Sequence, residues 1–230
     1  MIITKKLILE CLDLSVFSYQ NPARDWAIDM SKYENIFWII NNNASCFFAT
    51  KNNNLYLAIT GSNDLTDWRM NFDFGLVNWD NFRYPNGFIE YYKLLRDDIL
   101  YYIANEEYNK LIITGHSLGS VSSIIASNDI RKHIESKKEI INIGFGTPKA
   151  FGNLQTKRFY QRNVKGIHII NSCDIVTKVP LFMENNFRRF KVGRCNFWSK
   201  IFGSTKAHYP AEYKKNIIAN KKLNKKLRKI

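Results

Sequence analysis

The sequence predicts an α/β fold, with a mostly parallel central sheet, an antiparallel N-terminal edge and flanking helices. Three observations predict it. Short apolar runs separated by asparagine clusters fill the first quarter of the chain. Apolar strands then alternate with amphipathic helices through the middle. Between one such strand and helix lies a small-residue turn built around a single serine.

Taken in order, Leu9 to Tyr19 has helical apolar spacing, closed by Asn21-Pro22. Ile36–Ile40, Cys46–Thr50 and Leu55–Thr60 read as strands joined by the turn-like clusters Asn41–Asn43 and Asn52–Asn54, which predicts an antiparallel edge. A long aromatic connection leads to a helix over Gly87–Asn105, a strand over Leu111–Thr114 and a helix from Leu118 to about Ser136. Ile140–Phe145 is a strand, Asn153 to about Gln161 a helix and Val164–Asn171 a strand, so the middle of the chain is a series of βαβ units. With no internal repeat and no linker, one domain is expected over 1–213, followed by a basic tail over 214–230.

The composition of the 230 residues, 45% hydrophobic and 23% charged, is that of a globular protein, and no apolar stretch approaches the ~20 residues of a spanning helix. Lys5 and Lys6 precede an apolar run, but Glu10 and Asp13 break it, so no secretory signal is read. The expected location is the cytoplasm or the periphery of a membrane surface. Cys11, Cys46, Cys173 and Cys195 form neither a C-x-x-C pair nor a zinc spacing and are read as reduced thiols. The formal charge is +14, and residues 214–230 carry eight Lys and Arg and no acid. That asymmetry points to a polyanionic surface as partner of the tail, where Leu223, Leu227 and Ile230 share one helical face as an interfacial pattern; a solvated, disordered basic tail is the equal alternative. No recognition motif accompanies the charge, so nucleic acid is not an expected partner, and nothing in the sequence specifies an oligomeric state.

Gly115, Ser117 and Gly119 fit G-x-S-x-G, the elbow that lifts a serine hydroxyl above a parallel sheet. The strand before it and the helix after it are the context this motif requires. A serine hydroxyl needs a histidine base and a carboxylate to orient that base, in the chain order serine, acid, histidine for this fold class. His116 adjoins the serine, His133 lies along the next helix and His168 lies inside a strand, so His208 is the expected base. Asp129, Glu135 and Glu139 belong to the nucleophile helix or its end. Asp174 directly follows a strand, at the carboxyl edge where α/β sites gather, and is the expected acid, with Glu184 as fallback.

"ITGHSLGS", "GFGTPKAFGN", "HIINSCDIVTKVP" and "KAHYPAEY", in that order, resemble the class 3 lipases, the group that contains the fungal triacylglycerol lipases. Upstream, "LAITGSNDLTDW" resembles that family's oxyanion strand and loop, and "PNGFIEYY" the Gly-Phe that opens its next helix. The similarity runs from about Leu9 to Tyr213. It implies an α/β-hydrolase fold, Ser117 as nucleophile, His208 as general base, Asp174 as its orienting acid, and Ser62 with the Leu118 N–H as oxyanion hole. On residues alone, Ser62 also reads as a strand-end cap. The implied substrate is a lipid acyl ester, cleaved through an acyl-serine without a cofactor or metal. The same residues also suit an acyltransferase, or a lipid-binding protein that lost turnover. Three positions depart from the family's pattern. Thr60 stands where an arginine is usual, Pro85 where a histidine is usual, and Ser120 where a second glycine is common. Residues 63–81, with Leu65, Trp68, Met70, Phe72, Phe74, Leu76, Val77 and Trp79, read either as a lid or as plain core.

Overall fold

A computed structural model of the protein describes residues 2–19, 29–62, 73–134, 138–180, 183, 188–195 and 204–227. Seven strands form one sheet in the order β1-β2-β3-β6-β7-β8-β9. These are β1 (Glu34–Asn41), β2 (Ala44–Lys51), β3 (Asn54–Ile59), β6 (Lys110–His116), β7 (Glu139–Phe145), β8 (Lys165–Asn171) and β9 (Arg189–Val192). The β1–β2 and β2–β3 pairs are antiparallel, and every pair from β3–β6 to β8–β9 is parallel. This is the predicted mixed sheet with its antiparallel N-terminal edge. Asn52 and Asn53 have φ of 50° and 55° between the paired Lys51 and Asn54, a two-residue hairpin loop that asparagine tolerates better than most residues.

Side chains alternate across the sheet. Leu111 and Ile113 of β6 join a core with helices α2 (Asn86–Asn105), α3 (Leu118–His133) and α4 (Leu154–Asn163), while Ile112 faces the opposite way. There it packs with α1 (Lys5–Phe17), α5 (Pro210–Ala219) and α6 (Leu223–Leu227). Each fully buried aliphatic contributes about 1.5–3 kcal/mol, so two covered faces hold the parallel strands in place. Thr4 caps α1, its hydroxyl accepting the Leu7 N–H at 3.2 Å, and Asn153 caps α4 by accepting the Thr156 N–H at 2.8 Å. Buried Asp129 binds α3 to α2: it accepts from Arg96 Nε at 2.9 Å, Arg96 Nη2 at 3.2 Å and Tyr92 Oη at 2.9 Å.

The aromatic connection holds a hairpin that the sequence reading did not separate, β4 (Leu76–Trp79) with β5 (Phe82–Pro85). Its turn residues Asp80 and Asn81 have φ of 50° and 69°. Phe74, Val77 and Trp79 pack against the α2–α3 core, whereas Leu65, Trp68, Met70 and Phe72 lie outside the described residues.

Two expectations are corrected. The first concerns the tail, because α5 runs through the expected boundary at 213/214 without a break. Tyr213, Ile217, Leu223 and Leu227 are buried against α1 and the sheet. The Lys5 backbone N–H donates to Asn224 Oδ1 at 3.0 Å, its Nζ donates to the Ile218 carbonyl at 2.6 Å, and Lys214 pairs with Asp13 at 2.8 Å. Leu223 and Leu227 therefore face the core and not a lipid surface. Amphipathic spacing states that a face is apolar without stating what covers it. The second correction is that Cys173 and Cys195 are joined in a disulfide, with Cα atoms 5.5 Å apart. The β8–β9 register that pairs Asn171 with Val192 brings their following loops together, which spacing along the chain does not reveal. Cys11 and Cys46 are buried free thiols. No helix among the described residues is long and apolar enough to cross a membrane.

Truncation after residue 213 removes Ile217, Leu223 and Leu227 from the core. It should destabilise the protein by more than about 3 kcal/mol, read as a fall in the urea midpoint. A truncated protein as stable as the full chain would contradict this packing.

Candidate active site

The elbow is shaped by its two glycines. A Cβ on Gly115 would stand 2.3 Å from the Gly119 carbonyl oxygen, and one on Gly119 would stand 2.2 Å from the carbonyl oxygen of Ile59. Helix α3 thus begins in contact with the ends of both β6 and β3, an approach that only residues without a Cβ permit. Between them Ser117 takes φ 58° and ψ −124°, a conformation unfavourable for an L-residue. Its N–H donates to the Phe145 carbonyl at 2.9 Å, so the end of β7 pins the turn.

Asp174 and His208 meet beside this turn. His208 Nδ1 lies 2.8 Å from Asp174 Oδ2, and both side chains are fully buried. Because a carboxylate accepts, Nδ1 carries the proton and Nε2 presents its lone pair. Asp174 Oδ1 accepts the Val176 N–H at 2.9 Å, and the Asp174 backbone bridges to Ser204. Among the described residues, Ser117 Oγ and His208 Nε2 are buried polar atoms without a hydrogen-bond partner. Gly146, at φ 59°, makes room for the imidazole: a Cβ there would sit 2.7 Å from His208 Cε1.

The sequence reading gave no role at this site to two residues, Tyr213 and His116. Tyr213 Oη donates to Asp174 Oδ2 at 2.6 Å and accepts the Asn171 N–H at 3.0 Å. Burial, and then the neighbouring Asp174, push its phenol well above the usual tyrosine range, so it stays a donor. His116 Nε2 lies 2.8 Å from the His208 carbonyl and its Nδ1 lies 3.0 Å from Tyr19 Oη. The carbonyl requires Nε2–H as donor, leaving Nδ1 to accept from Tyr19. His116 therefore holds the His208 backbone. "HSLG" and "YPAEY" contain both residues, yet only the fold puts them against the pair.

The remaining expected residues fall as follows. Leu118 is the first residue of α3, where an N–H has no carbonyl one turn earlier. Ser62 follows Gly61, where a Cβ would be 2.5 Å from the His116 carbonyl oxygen, so this segment crosses the elbow. Thr60 is buried: its hydroxyl donates to the Ser18 carbonyl at 2.9 Å, and its carbonyl accepts from Tyr91 Oη at 2.8 Å. The departure at Ser120 is matched on β7, because a Cβ on Gly144 would lie 2.2 Å from Ser120 Oγ. Glu184 lies outside the described residues. Asp80, Asp129 and His133 bring ligand-type atoms within 4.8 Å of one another, but Lys132 and Arg96 already neutralise the two carboxylates.

The model of the class 3 lipase family matches residues 56–184, more than half of the chain. The chain belongs to the class 3 lipases. The chain is 30% identical over 105 residues to the Arabidopsis thaliana phospholipase A(1) DAD1, chloroplastic, covering 44% of this chain and 24% of that protein. It is 31% identical over 78 residues to phospholipase A1-IIdelta of the same plant, covering 33% and 19%. The aligned stretches thus span a quarter or less of those curated relatives. Among solved structures, the Rhizomucor miehei lipase propeptide complex superposes with a TM-score of 0.73 at 18% identity, covering 89% of this chain and 79% of that one. Lipase II from Rhizopus niveus gives 0.73 at 16% identity, covering 90% and 94%. These likenesses establish the α/β-hydrolase fold.

Beneath α3, the protein carries a buried polar network. His168 is the strand histidine that the sequence reading set aside. It contacts Thr147 Oγ1 through Nδ1 at 3.0 Å and Tyr160 Oη through Nε2 at 3.1 Å. Tyr160 Oη donates to Asn142 Oδ1 at 2.6 Å, which makes His168 Nε2–H the donor to Tyr160 and Thr147 the donor to Nδ1. Burial pushes the His168 imidazole from the ordinary 6.5 down to about 3. The unfolded chain therefore binds a proton in that window which the folded chain does not. The His168 contribution to stability should be complete above about pH 6.5 and decline as pH falls toward about 3. Urea titrations at stepped pH should show this decline, and His168→Gln should flatten it; an unchanged slope in the variant would assign the decline to other groups.

Proposed function

We propose that this protein is a serine carboxylic-ester hydrolase of lipase or phospholipase type, acting on lipid acyl esters through Ser117, His208 and Asp174. One observation carries the reading. A buried His208–Asp174 pair leaves Nε2 as a lone-pair acceptor, and the two buried atoms at the site without a partner among the described residues are that nitrogen and Ser117 Oγ. Orphaned buried polar atoms are costly, and here each is what the other needs. The curated relatives are named as phospholipases A1, and a further neighbour of the same fold is described as a triacylglycerol lipase with a serine protease triad, at 17% identity and a TM-score of 0.73.

In this mechanism Ser117 Oγ attacks the ester carbonyl while His208 Nε2 takes its proton. The oxyanion that forms accepts hydrogen bonds from the Leu118 and Ser62 N–H groups. His208 returns the proton to the leaving alkoxide, which departs as an alcohol and leaves an acyl-serine. Water then attacks the acyl carbon with His208 as base, and the carboxylic acid leaves with Ser117 restored. Asp174 holds the imidazole in the productive tautomer, and Tyr213 positions Asp174. The chemistry requires no cofactor.

Ser117→Ala and His208→Ala should each lower kcat on a chromogenic ester by at least about a thousandfold, with Asp174→Asn costing somewhat less. A folded Ser117→Ala protein that kept most of its turnover would sink the reading. Burst release of the chromogenic alcohol separates an enzyme from a binding protein, and product analysis with added alcohols separates hydrolysis from acyl transfer. Tyr213→Phe deletes one hydrogen bond to the acid. It should lower kcat by about tenfold with KM nearly unchanged and should move the lower limb of the kcat–pH profile. Equal changes in kcat and KM with an unmoved profile would leave Tyr213 a packing residue.

A further inference from the structure

Beside the Asp174–His208 pair lies a concavity of about 280 Å³, lined among the described residues by neither of them. Three chain segments each bring a cation to it: Arg194 after β9, Lys206 in the 3₁₀ turn (Lys206–His208) that carries His208, and Lys215 on α5. Among the described residues Glu212 is its one acid, and it lies 4.0 Å from Lys215. With the described residues, Arg194 and Lys206 form no ion pair.

The base of this concavity is fixed by hydrogen bonds. Asn216 Nδ2 donates to Asn171 Oδ1 at 3.0 Å, and Asn171 Nδ2 donates to the Ala207 carbonyl at 2.6 Å. Ser172 Oγ lies 3.2 Å from the Val192 carbonyl oxygen and 3.1 Å from that of Gly193. Gly193 has φ 72°, and a Cβ there would lie 2.7 Å from Asn216 Nδ2, so backbone forms that wall. The Cys173–Cys195 disulfide ties the Asn171–Cys173 side to the Gly193–Arg194 side.

Three cations around a small polar cup with a hydrogen-bonded base suit a multiply charged oxyanion. Guanidinium binds phosphate through paired N–H donors, and ammonium groups add charge without demanding a set orientation. The lining is too polar for an acyl chain. We propose that this cup binds a phosphate group, supplied by an anionic lipid headgroup or by a soluble phosphate ester. The site is separate from the proposed hydrolytic residues, and binding to it is independent of turnover. It draws its charge from three segments around the His208 turn, one of them the folded helix α5.

The test uses the full chain and inorganic phosphate, at constant ionic strength against chloride. Backbone amide NMR should show saturable shifts at residues 193–194, 204–207 and 215–216. Arg194→Ser with Lys206→Ser should weaken phosphate affinity by at least about tenfold through loss of two charge-assisted contacts, with an unchanged urea midpoint as the fold control. Ser117→Ala should bind as the parent does, whatever that variant does to ester turnover. Vesicle flotation then identifies the source. Selective binding to phosphatidylglycerol over phosphatidylcholine, lost in the double variant, assigns the site to a lipid headgroup. Binding of phosphate and glycerol phosphate with no such vesicle preference assigns it to a soluble ester. Shifts confined to other residues, or a folded double variant that binds phosphate as the parent does, would overturn the proposal.

Discussion

The close approach of α3 to the ends of β6 and β3 is the constraint on which the rest depends. Gly115 faces the Gly119 carbonyl at a distance no Cβ permits, and Gly119 faces Ile59 in the same way. This contact forces Ser117 into its unfavourable backbone conformation and sends the first turn of α3 across the edge of the sheet. The strain is held because Phe145 accepts the Ser117 N–H and because Val121, Ile124 and Ile125 bury the helix behind the turn. A residue displayed this way needs a well-packed scaffold, and both faces of the sheet provide one.

Around the elbow, polar groups are satisfied in chains and not singly. Asp174 receives His208, Tyr213 and the Val176 N–H, and His116 secures the His208 backbone from the other side. A buried carboxylate with three donors is held in one orientation, its polar atoms satisfied. The His168 network does comparable work below α3, where its depressed pKa keeps the ring neutral and both nitrogens committed. Ser117 Oγ and His208 Nε2 stand apart from this pattern, and for that reason they carry the functional reading.

Long-range pairing also alters the meaning of two features. The C-terminal lysines looked like a solvated arm, yet Ile217, Leu223 and Leu227 anchor that segment to α1, and Lys214 is engaged by Asp13. Exposed Lys215 and Lys225 thus sit on folded helices, and Lys221 and Lys222 lie in the turn that joins them. Cys173 and Cys195 looked unrelated at a separation of 22 residues, and neighbouring parallel strands bring them together beside Asp174.

Local chemistry was legible in the sequence wherever it decided the outcome. The asparagine turns, the strand and helix periodicities and the elbow glycines each depend on residues near one another, and a fixed fold rule pointed to the Asp174–His208 pair that the structure brings into contact. Even the missed β4–β5 hairpin had its signal in Asp80-Asn81 between Trp79 and Phe82, hidden by the aromatic residues around it. What depends on distant segments meeting was not legible: Tyr213 against Asp174, His116 against the His208 backbone, the disulfide, and the burial of the C-terminal helices. A side chain's type states which partners it accepts. Only the packing of the sheet and its two helical layers decides which partner arrives.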